Sequence, residues 1–174
     1  DELHGQFDFP LYYGIRGAFN GGGSFRDLDA AAAASQRSYG TALEWMSPFL
    51  GNHDVPRMAT EIAGNGQGPF GETPDLMAAG PADTITEWNI INRMSMAFLF
   101  TLTQPGVPLL YYGDEVGLGG DGDPDNRRFM PQTLNANQIE LLNRVKQLGQ
   151  LRKQIPVLRH GTRKELWLDD SLYV

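Results

Sequence analysis

The sequence predicts an α/β protein in which short, buried, parallel strands alternate with helices. Continuous apolar runs at 46–51 and 107–112 are typical of strands that are covered on both faces. Between them lie stretches with apolar residues every three or four positions, which indicate amphipathic helices. Eleven of the 21 glycines fall in three blocks, at 21–23, 64–71 and 117–122, which indicates long loops. Only about three strand–helix units fit, and a sheet of that size with two unpaired edges makes a poor independent domain.

The first half of the chain predicts two strands and one helix. Residues 7–11 alternate aromatic residues with an acid and a proline, which predicts a short strand that ends at a turn. Residues 26–39 contain five consecutive alanines and have Asp27 in the first turn, where an acid complements the helix dipole, so we predict a helix. The second strand, at 46–51, leads directly into the tripeptide Asn-His-Asp at 52–54.

The second half predicts two helices, a third strand and a final β element. Residues 84–103 show the helical spacing, with Trp88 on the apolar stripe and therefore in the core. After the strand at 107–112, residues 135–154 predict another helix, and residues 167–173 predict the beginning of a strand or hairpin. The apolar face of the helix at 135–154 is predicted to consist of Ile139, Leu142, Val145, Leu148 and Leu151.

Composition excludes several classes of function. Asp and Glu outnumber Lys and Arg by 21 to 14, giving a net charge of −7, whereas a nucleic-acid-binding surface needs clustered positive charge. There is no cysteine, which excludes disulfides, zinc–thiolate sites and thiol catalysis. The longest apolar stretch, 94–112, is interrupted by Gln-Pro-Gly and does not predict a membrane span. The chain begins with Asp1, so we expect it to start inside a longer or processed protein.

Polar residues follow two of the predicted strands directly. The tripeptide at 52–54 follows one strand, and Gly-Asp-Glu at 113–115 follows another. Functional sites of barrels and of open α/β sheets are built at the carboxyl ends of their parallel strands. We therefore expect a site that combines these two loops.

Longer motifs around these positions resemble a known enzyme family. Residues 49–57 read Phe-Leu-Gly-Asn-His-Asp-Val-Pro-Arg, and residues 105–117 read Pro-Gly-Val-Pro-Leu-Leu-Tyr-Tyr-Gly-Asp-Glu-Val-Gly. Gly-Asp-Pro-Asp-Asn-Arg-Arg follows at 122–128. Together they resemble the later part of the catalytic barrel of the α-amylase family of glycoside hydrolases, glycoside hydrolase family 13. The resemblance implies an α/β fold, the C-terminal part of a (β/α)8 TIM barrel, with residues 6–13 in the sixth strand and the two longer motifs in the seventh and eighth.

The resemblance also implies domain boundaries. Residues 1–158 would form a partial (β/α)8 barrel, and residues 159–174 the truncated start of a following β-sandwich domain. The predicted strands start about 40 and 60 residues apart, so eight units would need roughly 400 residues. We therefore expect the N-terminal part of the barrel to lie outside this chain. The sequence does not give a compartment; secretion to the periplasm or the medium is a family analogy.

The resemblance assigns roles to four residues. A retaining glycosidase surrounds an oxocarbenium-like transition state with a carboxylate nucleophile and a general acid. The resemblance implies that Asp54 is the third carboxylate, which stabilises this transition state, and that His53 hydrogen-bonds the sugar in the cleaved subsite. It implies that Asp123 and Arg127 clamp the non-reducing-end sugar. The alternatives are an Asp54 that caps the next turn, a core His53 and a salt bridge that braces the second loop.

The expected substrate is an α-glucan or a malto-oligosaccharide, with no nucleic-acid or membrane partner. In the family the nucleophile and the general acid lie at the ends of the fourth and fifth strands, upstream of every segment of this chain, so we predict that the isolated 174 residues are inactive. A non-catalytic carbohydrate-binding or scaffold protein that has kept barrel motifs is the alternative function.

Other polar residues of the motifs have competing interpretations. Asp114 and Glu115 are predicted to form buried ion pairs that tie their loop to neighbouring elements, and Arg57 is predicted to orient loops. The acids Asp121, Asp123 and Asp125 offer the oxygen ligands that calcium prefers, but the loop lacks the glycine and glutamate of an EF-hand. The sequence requires no cofactor, and calcium is an open alternative.

Overall fold

Helices dominate the computed structural model, which describes residues 5–20, 22–63 and 84–174, without the side chains of 84–87. The α-helices of these ranges are α1 Phe9–Asn20, α2 Phe25–Tyr39, α3 Met58–Ile62, α4 Thr84–Thr103, α5 Ala136–Gln154 and α6 Val157–His160. Short 3-10 helices cover Gly40–Trp45, Asp114–Val116 and Asp125–Arg127. None of these described helices has the length and apolar character that a membrane crossing needs.

The prediction of a strand over residues 7–11 was wrong, because α1 already begins at Phe9. The buried carboxylate of Asp8 accepts a hydrogen bond from the amide of Leu11 at 3.1 Å and so caps the first turn. Pro10 falls in that turn, where its missing amide hydrogen breaks no helical bond. The same helix covers most of the predicted sixth-strand segment. Its buried residues recur at helical spacing: Leu11, Tyr12, Ile15, Arg16 and Phe19.

The other three long helices were predicted correctly to within one residue at either end. The helix predicted at 26–39 is α2, which begins one residue earlier because Ser24 accepts a hydrogen bond from the amide of Asp27 at 3.2 Å. The helix predicted at 84–103 is α4, and the helix predicted at 135–154 is α5, with the first of those residues as its N-cap.

Two burial predictions on these helices were wrong. Trp88 is 47% exposed rather than in the core, and on α5 both Ile139 and Leu151 are exposed while Leu141 and Val145 are buried. A step of three residues turns the side-chain direction by about 60° on a helix with 3.6 residues per turn. Residues spaced only by three therefore do not stay on one face of the helix, and those at the two ends of the series point away from the core.

Parallel pairing joins the three predicted strand segments in the expected order, but only as isolated bridges in the described ranges. Phe7 pairs with Ser47, and Phe49 pairs with Leu109, both in parallel orientation. The central segment thus lies between the other two, and the chain that follows it reaches the same edge as the chain that follows Leu109. An antiparallel bridge within 166–174 forms the predicted terminal hairpin.

One hydrophobic cluster joins residues of α1 to α5 with Leu50, which directly follows the bridge residue Phe49. Its fully buried members include Ile15, Leu28, Met58, Ile91, Met94, Phe98 and Leu141. Burying each such side chain stabilises the fold by about 1.5–3 kcal/mol. The helices thereby fix the paired segments, and the loops that follow these segments are held at one edge.

Candidate active site

Two loops meet at the carboxyl ends of the paired segments. The first site loop, residues 51–57, follows the bridge at Phe49 and leads into α3. The second site loop, residues 111–128, follows the bridge at Leu109 and contains two of the 3-10 turns. The amide of Arg57 donates to the carbonyl of Gly120 at 2.9 Å, so the backbones of the two loops are joined directly.

Four exposed polar side chains lie together where these loops meet, and they are the four that the sequence singled out. His53 Nε2 lies 3.3 Å from Asp54 Oδ1, and Arg127 Nη2 lies 3.9 Å from the same oxygen. Arg127 Nε lies 3.0 Å from Asp123 Oδ1. The side chain of Asp54 is 66% exposed and that of Arg127 46%. The carboxylate of Asp54 is thus flanked by an imidazole and a guanidinium and remains open to a ligand.

The structure contradicts two of the alternative interpretations. Helix α3 begins at Met58 with Arg57 as N-cap and without a side-chain capping bond, so Asp54 does not cap it. The side chain of His53 is more than half exposed, so it is not a core residue. The third alternative, a salt bridge within the second site loop, is present between Asp123 and Arg127. This pair both braces the loop and presents its polar groups to solvent.

A buried ion pair lies beneath the exposed cluster. Arg57 Nη1 lies 2.9 Å from Asp114 Oδ1, and both side chains are almost completely buried. The same guanidinium donates to the carbonyls of Tyr112 and Asn126 and lies 4.1 Å from the centroid of the Tyr111 ring. The predictions that Arg57 orients loops and that Asp114 is in a buried ion pair are confirmed.

Burial changes the protonation of Asp114. Removal from water raises the pKa of Asp114 to about 6, although the positive charge of Arg57 acts in the opposite direction. Gly51 allows the first site loop to approach this carboxyl group, since a Cβ atom there would lie 2.9 Å from Asp114 Oδ2. Glu115 forms no ion pair with another described residue, so the corresponding prediction was wrong for Glu115.

The acids of the second site loop are bound mainly to arginines. Arg128 Nη2 lies 2.7 Å from Asp125 Oδ1, and Arg127 holds Asp123 as described. The amide of Asp121 donates to Asp125 at 2.8 Å. Within the described ranges, no group of three or more His, Asp or Glu side chains is arranged to hold a metal ion. Calcium binding by this loop stays an open alternative.

Two buried carboxamides of the site were given no role from the sequence. Asn52 and Asn126 are almost fully buried, and each makes hydrogen bonds to the first site loop. The signal that could have found them is their position, because each directly adjoins residues already chosen for chemistry. A buried carboxamide needs several hydrogen-bond partners, and loop backbones supply them.

Parallel paired segments with helices packed against them and polar loops at their carboxyl edge are the arrangement found in part of a (β/α)8 barrel. A β/α-amylase from Paenibacillus polymyxa is 32% identical over 171 residues, which is 98% of this chain and 12% of that protein. A cyclomaltodextrin glucanotransferase from Bacillus licheniformis is 29% identical over 168 residues, 96% of this chain and 19% of that protein. The crystal structure of the α-amylase from Geobacillus thermoleovorans, complexed with acarbose, matches with a TM-score of 0.75 at 27% identity, covering 97% of this chain and 33% of that one.

The chain belongs to the α-amylase family of glycoside hydrolases. No protein-family model matches it. The chain spans between about an eighth and a fifth of the curated relatives named above, and about a third of the solved α-amylase chain. The resemblance that the two long motifs indicated is therefore confirmed, and it concerns one part of the enzymes to which the chain is similar.

Proposed function

We propose that this chain supplies part of the sugar-binding and catalytic site of a retaining glycoside hydrolase that cleaves α-glucosidic bonds in starch or malto-oligosaccharides. The observation that carries the proposal is the cluster of His53, Asp54, Asp123 and Arg127 at the carboxyl ends of parallel segments. Asp54 acts as the transition-state stabiliser, and the other three residues bind sugar hydroxyls.

The surroundings of Asp54 suit a group that responds to a developing positive charge. During glycoside cleavage the sugar ring gains oxocarbenium character, and a preorganised carboxylate near the ring lowers the barrier. His53, 3.3 Å from Asp54, can donate to a neighbouring hydroxyl of the same ring. Both side chains are exposed in the chain, as a ligand contact requires.

The pair of Asp123 and Arg127 suits the binding of a second sugar unit. A guanidinium presents several N–H donors in one plane, and a carboxylate supplies acceptors, so together they match the vicinal hydroxyls of a pyranose. Their 3.0 Å ion pair holds both groups in place before the sugar arrives. Because Arg127 also lies 3.9 Å from Asp54, the Asp123–Arg127 pair and the carboxylate of Asp54 act on adjacent parts of one oligosaccharide.

The strand numbers, the domain boundaries and the source of the missing catalytic groups are also part of this proposal. The segments paired at Phe7, Phe49 and Leu109 are the sixth, seventh and eighth barrel strands, residues 1–158 belong to the barrel, and residues 159–174 begin the following β-sandwich domain. The nucleophile and the general acid come from barrel units outside these residues. The isolated 174 residues are therefore inactive.

The test uses the full-length protein that carries this chain. Wild type and Asp54→Asn are assayed on starch and on a nitrophenyl maltoside, and the anomer released first is identified by NMR. We expect retention of the α configuration and a kcat about 10²–10⁴ times lower in Asp54→Asn, at an unchanged Tm. A variant as active as wild type refutes the role of Asp54. Binding of maltotriose without turnover by the wild-type protein instead supports a carbohydrate-binding or scaffold protein.

The proposed chemistry rests on carboxylates and requires no cofactor. Activity after dialysis against EDTA checks this point. Full activity supports a metal-independent site, whereas a loss that calcium alone restores supports calcium binding.

A further inference from the structure

A single buried carboxamide joins the two site loops at the position of the catalytic carboxylate. Asn126 is fully buried, and its Nδ2 lies 2.9 Å from the carbonyl oxygen of His53 and 2.9 Å from that of Val55. These two carbonyls belong to the residues on either side of Asp54. Both partners are acceptors, so only the amide nitrogen, with its two hydrogens, can satisfy them.

The backbone of Asp54 is held from the other side as well. Its amide donates to Oδ1 of Asn52 at 2.8 Å, within the first site loop. Asn126 itself is fixed by its own carbonyl, which accepts from Nε of the buried Arg57 at 2.9 Å. The peptide units around Asp54 are therefore bound on both sides by groups that have little freedom to move.

Asn126 also immediately precedes Arg127 in the chain. Its hydrogen bonds to the first site loop thus set the separation between Asp54 and the Asp123–Arg127 pair. This separation has to match the spacing of adjacent sugar units, and a misplacement of about 1 Å at a reacting centre lowers a rate by about 10²-fold.

We propose that Asn126 is a positioning residue for the reaction: it acts through Asp54 by fixing the loop backbone, without itself touching the sugar. The inference rests on the proposed function of Asp54.

The test compares Asn126→Asp and Asn126→Ala in the full-length protein. Aspartate keeps the shape of asparagine but has no N–H donors, and its oxygens face two carbonyl oxygens. Alanine removes the side chain beyond Cβ. For both variants we expect kcat to fall about 10–100-fold, with KM changed less than about threefold, because the interaction with the transition state is affected more than ground-state binding.

A double-mutant cycle distinguishes positioning from general support of the fold. In an Asp54→Asn background, the carboxylate that Asn126 positions is gone, so Asn126→Asp should lower kcat less than about threefold further. A purely structural residue would lower kcat by the same factor in both backgrounds. Thr101→Val is the matched control, since Thr101 is equally buried and its hydroxyl donates to the carbonyl of Ala97 in its own helix. It should keep wild-type kcat.

Each outcome decides the proposal. Equal kcat losses in the two backgrounds, a kcat like that of Thr101→Val, or failure of both Asn126 variants to fold as judged by circular dichroism overturn the positioning role. An inactive wild type, or an Asp54→Asn variant with full activity, overturns the proposed function first, and this result is visible before any Asn126 variant is made.

Discussion

The two site loops contain two arginine–carboxylate pairs that differ in exposure. Arg57 and Asp114 are 2.9 Å apart with side chains that are 0% and 2% exposed, whereas Arg127 and Asp123 are 3.0 Å apart and 46% and 56% exposed. The distances are nearly equal, so distance does not separate their roles. A buried pair is isolated from water and depends on its partner, while an exposed pair is screened by water and can exchange its partner for a ligand.

The buried pair therefore fixes the loops, and the exposed pair is available for binding. Arg57 reaches two carbonyls in addition to Asp114, so one side chain ties the first site loop to the second. Arg127 contacts the exposed carboxylates of Asp54 and Asp123 and also donates to the carbonyl of His53 at 3.3 Å. In the proposed function, a sugar hydroxyl replaces the carboxylate contacts. Under the proposed function, the same kind of ion pair serves two purposes, according to its depth below the surface.

Arg57→Ala should have the largest effect on stability. Removal of the guanidinium leaves Asp114 without its charged partner in a buried site, which typically costs about 3–5 kcal/mol. Urea denaturation of the full-length protein, followed by tryptophan fluorescence, measures the loss. A decrease below about 1 kcal/mol would contradict the assignment of this pair to the loop framework.

The pH dependence of stability should reflect Asp114. Its pKa in the folded protein is about 6 against an ordinary value of 3.8, so between these values the folded state binds a proton that the unfolded state releases. The contribution of Asp114 to the free energy of unfolding is therefore fully present below about pH 4 and decreases as pH rises to about 6. Since one pKa unit corresponds to about 1.4 kcal/mol, the decrease amounts to roughly 3 kcal/mol.

Denaturation midpoints between pH 4 and 7 test this expectation in wild type and Asp114→Asn. The difference between the two proteins isolates the one carboxyl group from all others that titrate in the same range. We expect wild type to lose stability relative to Asp114→Asn as pH rises through the window. A difference that is constant with pH would show that Asp114 has the same pKa in the folded and unfolded states.

The exposed residues of the site were predictable from the sequence, but the buried residues that hold the two site loops together were predictable only in part. His53, Asp54, Asp123 and Arg127 lie in motifs that carry a family resemblance, and the structure brings them together. The partners of a buried amide are set by tertiary contacts that no local pattern reports, which is why Asn126 was missed.

The fold, like the site, was predictable where local sequence patterns determine it and not where contacts distant in sequence do. Helices α2, α4 and α5 follow from alanine content, periodicity and capping residues, which are local properties. Helix α1 was missed because Pro10 and the glycines after it indicate a turn, and the helix is stabilised by burial of Ile15 and Phe19 against other helices. The pairing of short parallel segments depends on contacts distant in sequence, so their order was predictable but their length was not.

Arg127→Ala should have the smallest effect on stability and a clear effect on binding. An exposed ion pair contributes about 0–1 kcal/mol, so the free energy of unfolding should stay within 1 kcal/mol of wild type. If the guanidinium binds a sugar, its loss should raise the Kd for maltotriose about tenfold, or about 1.4 kcal/mol. Isothermal titration of the full-length protein measures this change, and Arg144→Ala, which removes a partly exposed ion pair with Glu140 on α5, is the control for loss of an arginine outside the site loops. A Kd that is unchanged while stability falls by several kcal/mol would make Arg127 a loop brace like Arg57, and the contrast between the two pairs would no longer hold.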